Sequence, residues 1–229
     1  MLGVVVNTAA VIAGSLVGLL CKRGIPKKLI DAVMLGIALC TIYIGIAGTL
    51  KGQNTLVLIV SIVLGAIVGT ALDIDGAISR LGSWVERKFP RSDGGTSVAQ
   101  GFVTASLLFC VGSMTVVGSL NAGISGDNKM LYTKSILDLI SSIMLSASLG
   151  VGVLFSALFV LVFQGALVLL SGLLAPVLTD AAVAEMTCAG SLIILAMGFN
   201  LLGLTKIKAA NYLPALLFAP LISWLAGLL

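Results

Sequence analysis

The sequence predicts an all-α membrane protein of about eight transmembrane helices, with two antiparallel (inverted) three-helix repeats flanking a central polar hairpin. Three observations predict it. Hydrophobic residues make up 59% of the 229-residue chain and charged residues 10%, with a mean hydropathy of +1.20, a balance soluble domains do not have. The apolar residues gather into stretches of roughly the 17 to 25 residues a bilayer requires. Few charges fall inside these stretches, and two of them, Lys134 and Asp138, stand one helical turn apart inside an otherwise apolar segment.

Taken in order, the stretches are Gly3–Leu20, Ala32–Leu50, Thr55–Leu72, Ala99–Leu120, Thr133–Leu149, Val151–Leu174, Ala181–Leu204 and Tyr212–Leu229. The first is read as a retained span rather than a secretory signal, because positive charge follows it and none precedes it. The fifth and sixth are separated only by Leu149-Gly150-Val151-Gly152, so they form either a tight hairpin or one long bent helix, giving eight spans or seven.

Basic residues supply an orientation, since cytoplasmic loops carry the excess of Lys and Arg. Lys22, Arg23, Lys27 and Lys28 follow span one; Arg80, Arg87, Lys88 and Arg91 follow span three; Lys206 and Lys208 follow span seven. Eight spans put all three groups on one face and both termini outside the cytoplasm, whereas seven would misplace Lys206 and Lys208. In Asp73–Arg91, Ile78, Leu81, Trp84, Val85 and Phe89 recur at helical spacing among charges, which predicts an interfacial amphipathic helix; a solvated linker is the alternative. Residues 91–97 read as a hinge. The expected organisation is a first three-helix repeat (1–72), a cytoplasmic amphipathic linker (73–98), a central polar hairpin (99–150) and a second three-helix repeat (151–229).

The repeat rests on internal similarity. Gly45 to Lys51 lies over Asn200 to Lys206, and Asn54-Thr55-Leu56 over Asn211-Tyr212-Leu213, with Asp31 over Glu185, Gly36 over Gly190 and Asn7 near Gln164. Five spans separate the two starts, and an odd number reverses direction, so the copies would be antiparallel.

Polar residues concentrate in the hairpin. Span four carries Thr104, Ser106, Cys110, Gly112, Ser113, Thr115, Gly118 and Ser119, which suits a broken or closely packed helix. A turn-rich loop then places Asp127 near the outer mouth. In span five Lys134, Asp138, Ser141, Ser142 and Ser148 fall mostly on one face. Such a stripe should line the bundle interior or a water-filled path. Either Lys134 and Asp138 form a structural i, i+4 pair with a snorkelling lysine, or Asp138 is a deep carboxylate that couples ion binding to transport. Asn7, Gln164 and Asn200 are amides at membrane depth that would act as clamps or as substrate contacts. The motifs Gly14-x-x-x-Gly18 and Gly65-x-x-x-Gly69, the latter preceded by Ser61, read as helix-packing faces.

Other chemistries recede. The chain has no histidine, and its four cysteines, Cys21, Cys40, Cys110 and Cys188, lack paired spacing, so no metal site and no cofactor is expected. An intramembrane enzyme would need Lys134 paired with a nearby serine, without any recognised nucleophile motif.

The run Gly101 to Met114, followed by Val117-Gly118-Ser119-Leu120, Gly126-Asp127, Lys134 to Asp138, Gln164-Gly165 and Gly203-Leu204, resembles a bacterial family of uncharacterised polytopic membrane proteins, the YdfK/YqgA-like proteins. The resemblance spans nearly the whole chain and implies a multi-pass protein of the bacterial inner membrane, presumed to transport. The expected function is a transporter or channel for a small ion or polar solute, not an enzyme. Asp138 is the candidate carboxylate, Lys134 its partner, Asp127 the recruiter, Ser141, Ser142, Ser113 and Thr115 the oxygen lining, and Asn7, Gln164 and Asn200 further path residues. A non-transporting scaffold is the alternative. The expected partners are the lipid bilayer, the solute and a second copy of the chain in a homodimer, with no nucleic acid.

Overall fold

A computed structural model describes residues 1–22, 27–88, 97–111 and 113–226, with most side chains. All its regular structure among these residues is helical: α1 (Leu2–Lys22), α2 (Lys27–Thr49), α3 (Thr55–Ala71), α4 (Ile74–Lys88), α5 (Val98–Cys110), α6 (Ser113–Ile124), α7 (Lys129–Leu149), α8 (Gly152–Leu169), the single turn α9 (Ser171–Leu174), α10 (Asp180–Leu201) and α11 (Ala215–Ala226), with a 3-10 turn at Ala209–Tyr212. Five of these helical stretches are long and apolar enough to cross a bilayer, and seven if α3–α4 and α5–α6 each count as one bent span. In α2 the apolar portion is the shorter Met34–Thr49.

Helix α3 is turned inside out relative to a helix of a soluble protein. In α3 the buried residues are Val57, Ser61, Gly65 and Gly69, while Leu56, Ile59, Val63 and Ile67 are exposed. Small residues therefore face neighbouring helices and large apolar ones face outward, the arrangement expected where lipid removes the incentive to bury leucine. Close approach follows. A side chain at Gly14 would run into Ser142 Oγ and the Leu139 carbonyl, and one at Gly18 into the Ile143 carbonyl, so α1 lies directly against α7. Gly48 meets Ser191 of α10 in the same way, and Gly65 and Gly69 meet Ala215 of α11 and the Asn211 carbonyl. Both glycine motifs are packing faces.

Named contacts fix helix directions. The Gly3 amide donates to Asn128 Oδ1 at 3.0 Å, and further along Ser146 Oγ donates to the Ser15 carbonyl at 2.8 Å, so α1 and α7 run parallel. Gly45 abuts Leu195 while Gly198 abuts Ile42, so α2 and α10 run antiparallel; Gly65 against Ala215 and Gly69 against Asn211 make α3 and α11 antiparallel as well. Near the start of α1 Val4 clusters with Val168, and further along Val11 clusters with Val153, Ala157 and Val160, so α8 runs against α1 and hence against α7. The fifth and sixth stretches are thus a hairpin and not one bent helix. Gly150 makes the reversal at φ 82°, ψ −157°, a region essentially reserved for glycine.

The fourth stretch is broken. Gly152 at the start of α8 abuts the Val98 carbonyl and Phe102, and Gly123 near the end of α6 abuts Val168 and Ser171. Together α5 and α6 therefore run the length of α8, with an angle of 60° between them. Helix α4 realises the amphipathic segment, and Ile74 and Ile78 pack on the main core against residues such as Val103, Met197 and Ala209. Of the remaining expectations there, the hinge at 91–96, Arg91 and Phe89 lie outside the described residues, as do the side chains of Leu81, Val85, Glu86, Arg87 and Lys88. The sixth stretch is shorter than expected, with α8 ending at Leu169, and the eighth opens with the 3-10 turn before α11.

Candidate functional site

Helix α7 places Lys134 and Asp138 five and nine residues from its first residue, roughly 8 and 14 Å along the axis. Their spacing sets both on one face, and that face turns inward: Lys134 is 6% exposed and Asp138 5%. Lys134 Nζ lies 2.9 Å from Asp138 Oδ1 and 2.8 Å from Oδ2, a two-oxygen ion pair. From α1, the wholly buried Asn7 donates through Nδ2 to Asp138 Oδ2 at 3.0 Å. The carboxylate is thus held by three donor contacts from two helices. Such a pair costs desolvation that its own attraction only partly offsets, so folding stability alone gives little reason to keep it.

The pair sits beside the helix break. Cys110, the last residue of α5, is buried and close enough to interact electrostatically with both Lys134 and Asp138. Next to it, Val111 fills the space left by Gly190 of α10. Thr115, also buried, donates from Oγ1 to the Phe109 carbonyl at 3.0 Å, tying α6 to the end of α5 across the break.

Several buried polar atoms on the helices of this part of the bundle have no hydrogen-bond partner within the described residues. They are Asn7 Oδ1, both amide atoms of the fully buried Gln164, and the hydroxyls of Ser15, Thr104, Ser106 and Ser119. All are carried by α1, α5, α6 and α8, and the other three helices each pack on α8. Unpaired buried polar groups cost about 1–3 kcal/mol each, so atoms of this kind ordinarily bond water, an ion or a solute.

The predicted residues divide accordingly. Lys134, Asp138 and Asn7 come together, with Thr115 at the neighbouring break and Gln164 on a helix packed against α1. Ser142 is fully buried but bonds the Leu139 carbonyl at 2.9 Å and faces Gly14, and Ser141 is half-buried. Asp127 is exposed in the α6–α7 loop, where its Oδ1 accepts from the Lys129 amide at 3.0 Å. Asn200 lies at the end of α10 and organises the following loop: its Nδ2 donates to the Ile207 carbonyl at 2.7 Å, and its Oδ1 accepts from Thr205 Oγ1 at 2.7 Å and the Ile207 amide at 2.9 Å. The side chain of Ser113 lies outside the described residues.

One buried carboxylate was not among the candidates. Glu185 of α10 is 2% exposed, and its Oε1 accepts from the backbone amides of Gln53 at 2.6 Å and Asn54 at 2.7 Å, while Oε2 is unpartnered. It clasps the α2–α3 turn. An acid inside an apolar stretch was the available signal, although its partners, 132 and 131 residues away, were not visible in the sequence. No group of three or more Cys, Asp or Glu residues suited to a metal ion occurs among the described residues.

Comparison with known proteins gives a family and two bacterial relatives. A family model described as a protein of unknown function (DUF554) matches residues 2–224. The chain is 31% identical over 226 residues to the uncharacterized membrane protein YdfK of Bacillus subtilis (strain 168), covering 97% of this chain and 95% of the relative. It is 27% identical over 222 residues to the uncharacterized protein YqgA of Escherichia coli (strain K12), covering 96% and 94% respectively. No solved structure matches it. With its apolar helices and full-length similarity to a bacterial membrane protein, this chain is a multi-pass membrane protein that belongs to the DUF554 family.

Proposed function

We propose that this protein is a transporter or channel for a small ion or small polar solute, with Asp138 as its membrane-embedded binding or coupling carboxylate and Lys134 as the internal counter-charge. The observation that carries the reading is the juxtaposition of a buried ion pair with a broken helix: Lys134 and Asp138, steadied by Asn7, lie beside the end of α5 where the α5–α6 span is interrupted. Ionisable residues at membrane depth mark ion and proton paths, and interrupted helices form the binding sites of many transporters, because freed backbone groups there can bind ligand. The unpartnered atoms of Asn7, Gln164 and Ser119 supply further donors and acceptors for a solute or for water.

In the same reading the chain crosses the inner membrane eight times with both termini outside the cytoplasm, and α1–α3 and α8–α11 form inverted repeats. Alternating directions support the crossing count, and the antiparallel packing of α1 on α8, α2 on α10 and α3 on α11 supports the repeat. A second reading, a non-transporting scaffold, is favoured by one feature: both oxygens of the Asp138 carboxylate already accept from Lys134 and Asn7.

The discriminating experiment reconstitutes the purified protein in liposomes and applies stepwise gradients of protons, alkali and divalent cations, anions and small neutral solutes. Flux above protein-free vesicles, reduced at least tenfold by Asp138→Asn, is expected. Absence of flux for every solute, from protein shown to be folded, would leave the scaffold.

A further inference from the structure

A second polar site lies away from the buried ion pair, at the end of the bundle where α10 stops and α4 and α5 begin. A partly enclosed cavity of about 260 Å³ opens there among the first turn of α5, the start of α4 and the loop that follows α10. Its floor is apolar, formed by residues such as Val103, Met197 and Ala210, and its walls carry Lys206, Lys208, Ser79, Gln100 and Asp75.

The backbone that carries the positive charge is held in place. Lys206 and Lys208 flank Ile207 in the loop between Gly203, which turns at φ 73°, and the 3-10 turn that begins at Ala209. Asn200 grips Ile207 through both its amide and its carbonyl, and takes a further hydrogen bond from Thr205. The backbone that carries the two exposed lysines is therefore anchored, and both line the cavity. Ser97 caps α5 by accepting the Gln100 amide at 3.0 Å, so the positive end of that helix dipole also faces the space. The half-buried Gln100 side chain lies in the same wall. Among the described residues Asp75 is the one acid in the lining.

We infer that this cavity binds the phosphate group of a small anion, with Lys206 and Lys208 as its charge partners and Gln100 and Ser79 as additional donors. Two ammonium groups, hydroxyl and amide donors and a helix start match a tetrahedral oxyanion with several oxygens better than they match a cation, which would find only Asp75. The volume is about that of nine waters at ~30 Å³ each, enough for a phosphate with a short organic stem. Asp75 accepts a hydroxyl on that stem. The chemistry is shared by a free phosphate ester and an anionic phospholipid headgroup, and it stands whether or not the buried pair mediates transport.

The test uses the full-length protein, first in neutral detergent with inorganic phosphate or glycerol phosphate, then in nanodiscs of phosphatidylcholine with or without phosphatidylglycerol, with chloride at matched ionic strength as the reference. Thermal stabilisation reads binding. Lys206→Gln and Lys208→Gln should each weaken apparent affinity about tenfold. Ala99→Phe, which fills the cavity without changing any charge, should abolish the effect, and Lys129→Gln, at the opposite end of α7, should not. Stabilisation by the soluble phosphates in detergent assigns the site to a free ester; stabilisation only by phosphatidylglycerol, lost in Ala99→Phe, assigns it to a headgroup. No stabilisation by either, or stabilisation that survives Ala99→Phe, would overturn the inference and leave Lys206 and Lys208 as surface charge.

Discussion

At the scale of single residues, the buried pair makes a prediction that separates charge from packing. Removing one partner strands the other in an apolar interior, which costs about 3–5 kcal/mol, whereas replacing both with apolar residues of similar size costs far less. Lys134→Met alone is therefore expected to lower the unfolding midpoint in detergent more than Lys134→Met combined with Asp138→Leu. An equal or larger loss in the double variant would show that the two charges do not depend on each other. Asn7→Leu removes one donor from Asp138 Oδ2 and should cost about 1–3 kcal/mol. Lys134 and Asp138 were legible in the sequence because their four-residue spacing lies within one helix and their surroundings are apolar. Asn7 was legible as a buried amide but not as the partner of Asp138, since 131 residues separate them and nothing local encodes the meeting. Glu185 illustrates the same limit, since its acceptor role exists only once the α2–α3 turn folds against α10. Asn200 lies in an apolar run that also reads as membrane depth, yet it sits at the end of its helix and bonds the loop beyond.

At the scale of helices, glycine positions decide which elements can meet. Gly14 lets α1 approach α7 closely enough for Asn7 to reach Asp138, so Gly14→Leu should push the helices apart and cost about 1–3 kcal/mol or more. Exposed Leu16 of the same helix, changed to Ala, should alter stability little, which a side-by-side thermal melt would check. Gly150→Ala forces a side chain into a backbone region at φ 82° and should cost about 1–3 kcal/mol without touching the ion pair. These packing faces could be read from small residues four apart. The hairpin at Gly150 could not be separated from a bent helix by hydropathy, because both present the same unbroken apolar run. Its reversal follows from α8 packing against α1 in the direction opposite to α7. The break between α5 and α6 was foreshadowed by glycine and hydroxyl content, whereas its position beside Lys134 and Asp138 required the fold.

At the scale of the whole molecule, helix directions and basic loops predict one topology. With exposed Cys21 and Cys40 replaced by serine, a cysteine introduced at Ser125 should react with a membrane-impermeant thiol reagent from outside the cell, and one at Ser79 only after the membrane is opened. The reverse pattern would invert the orientation, and labelling of both from one side would contradict the eight crossings. The central claim concerns what this topology is for: a buried carboxylate beside a helix break that moves a small ion or solute across the bilayer. The most direct measurement compares flux through wild-type and Asp138→Asn protein reconstituted at equal amounts, with Ser141→Ala as a control on the same helix. Flux that falls at least tenfold in Asp138→Asn and survives in Ser141→Ala is the predicted result; undiminished flux through Asp138→Asn would contradict the account.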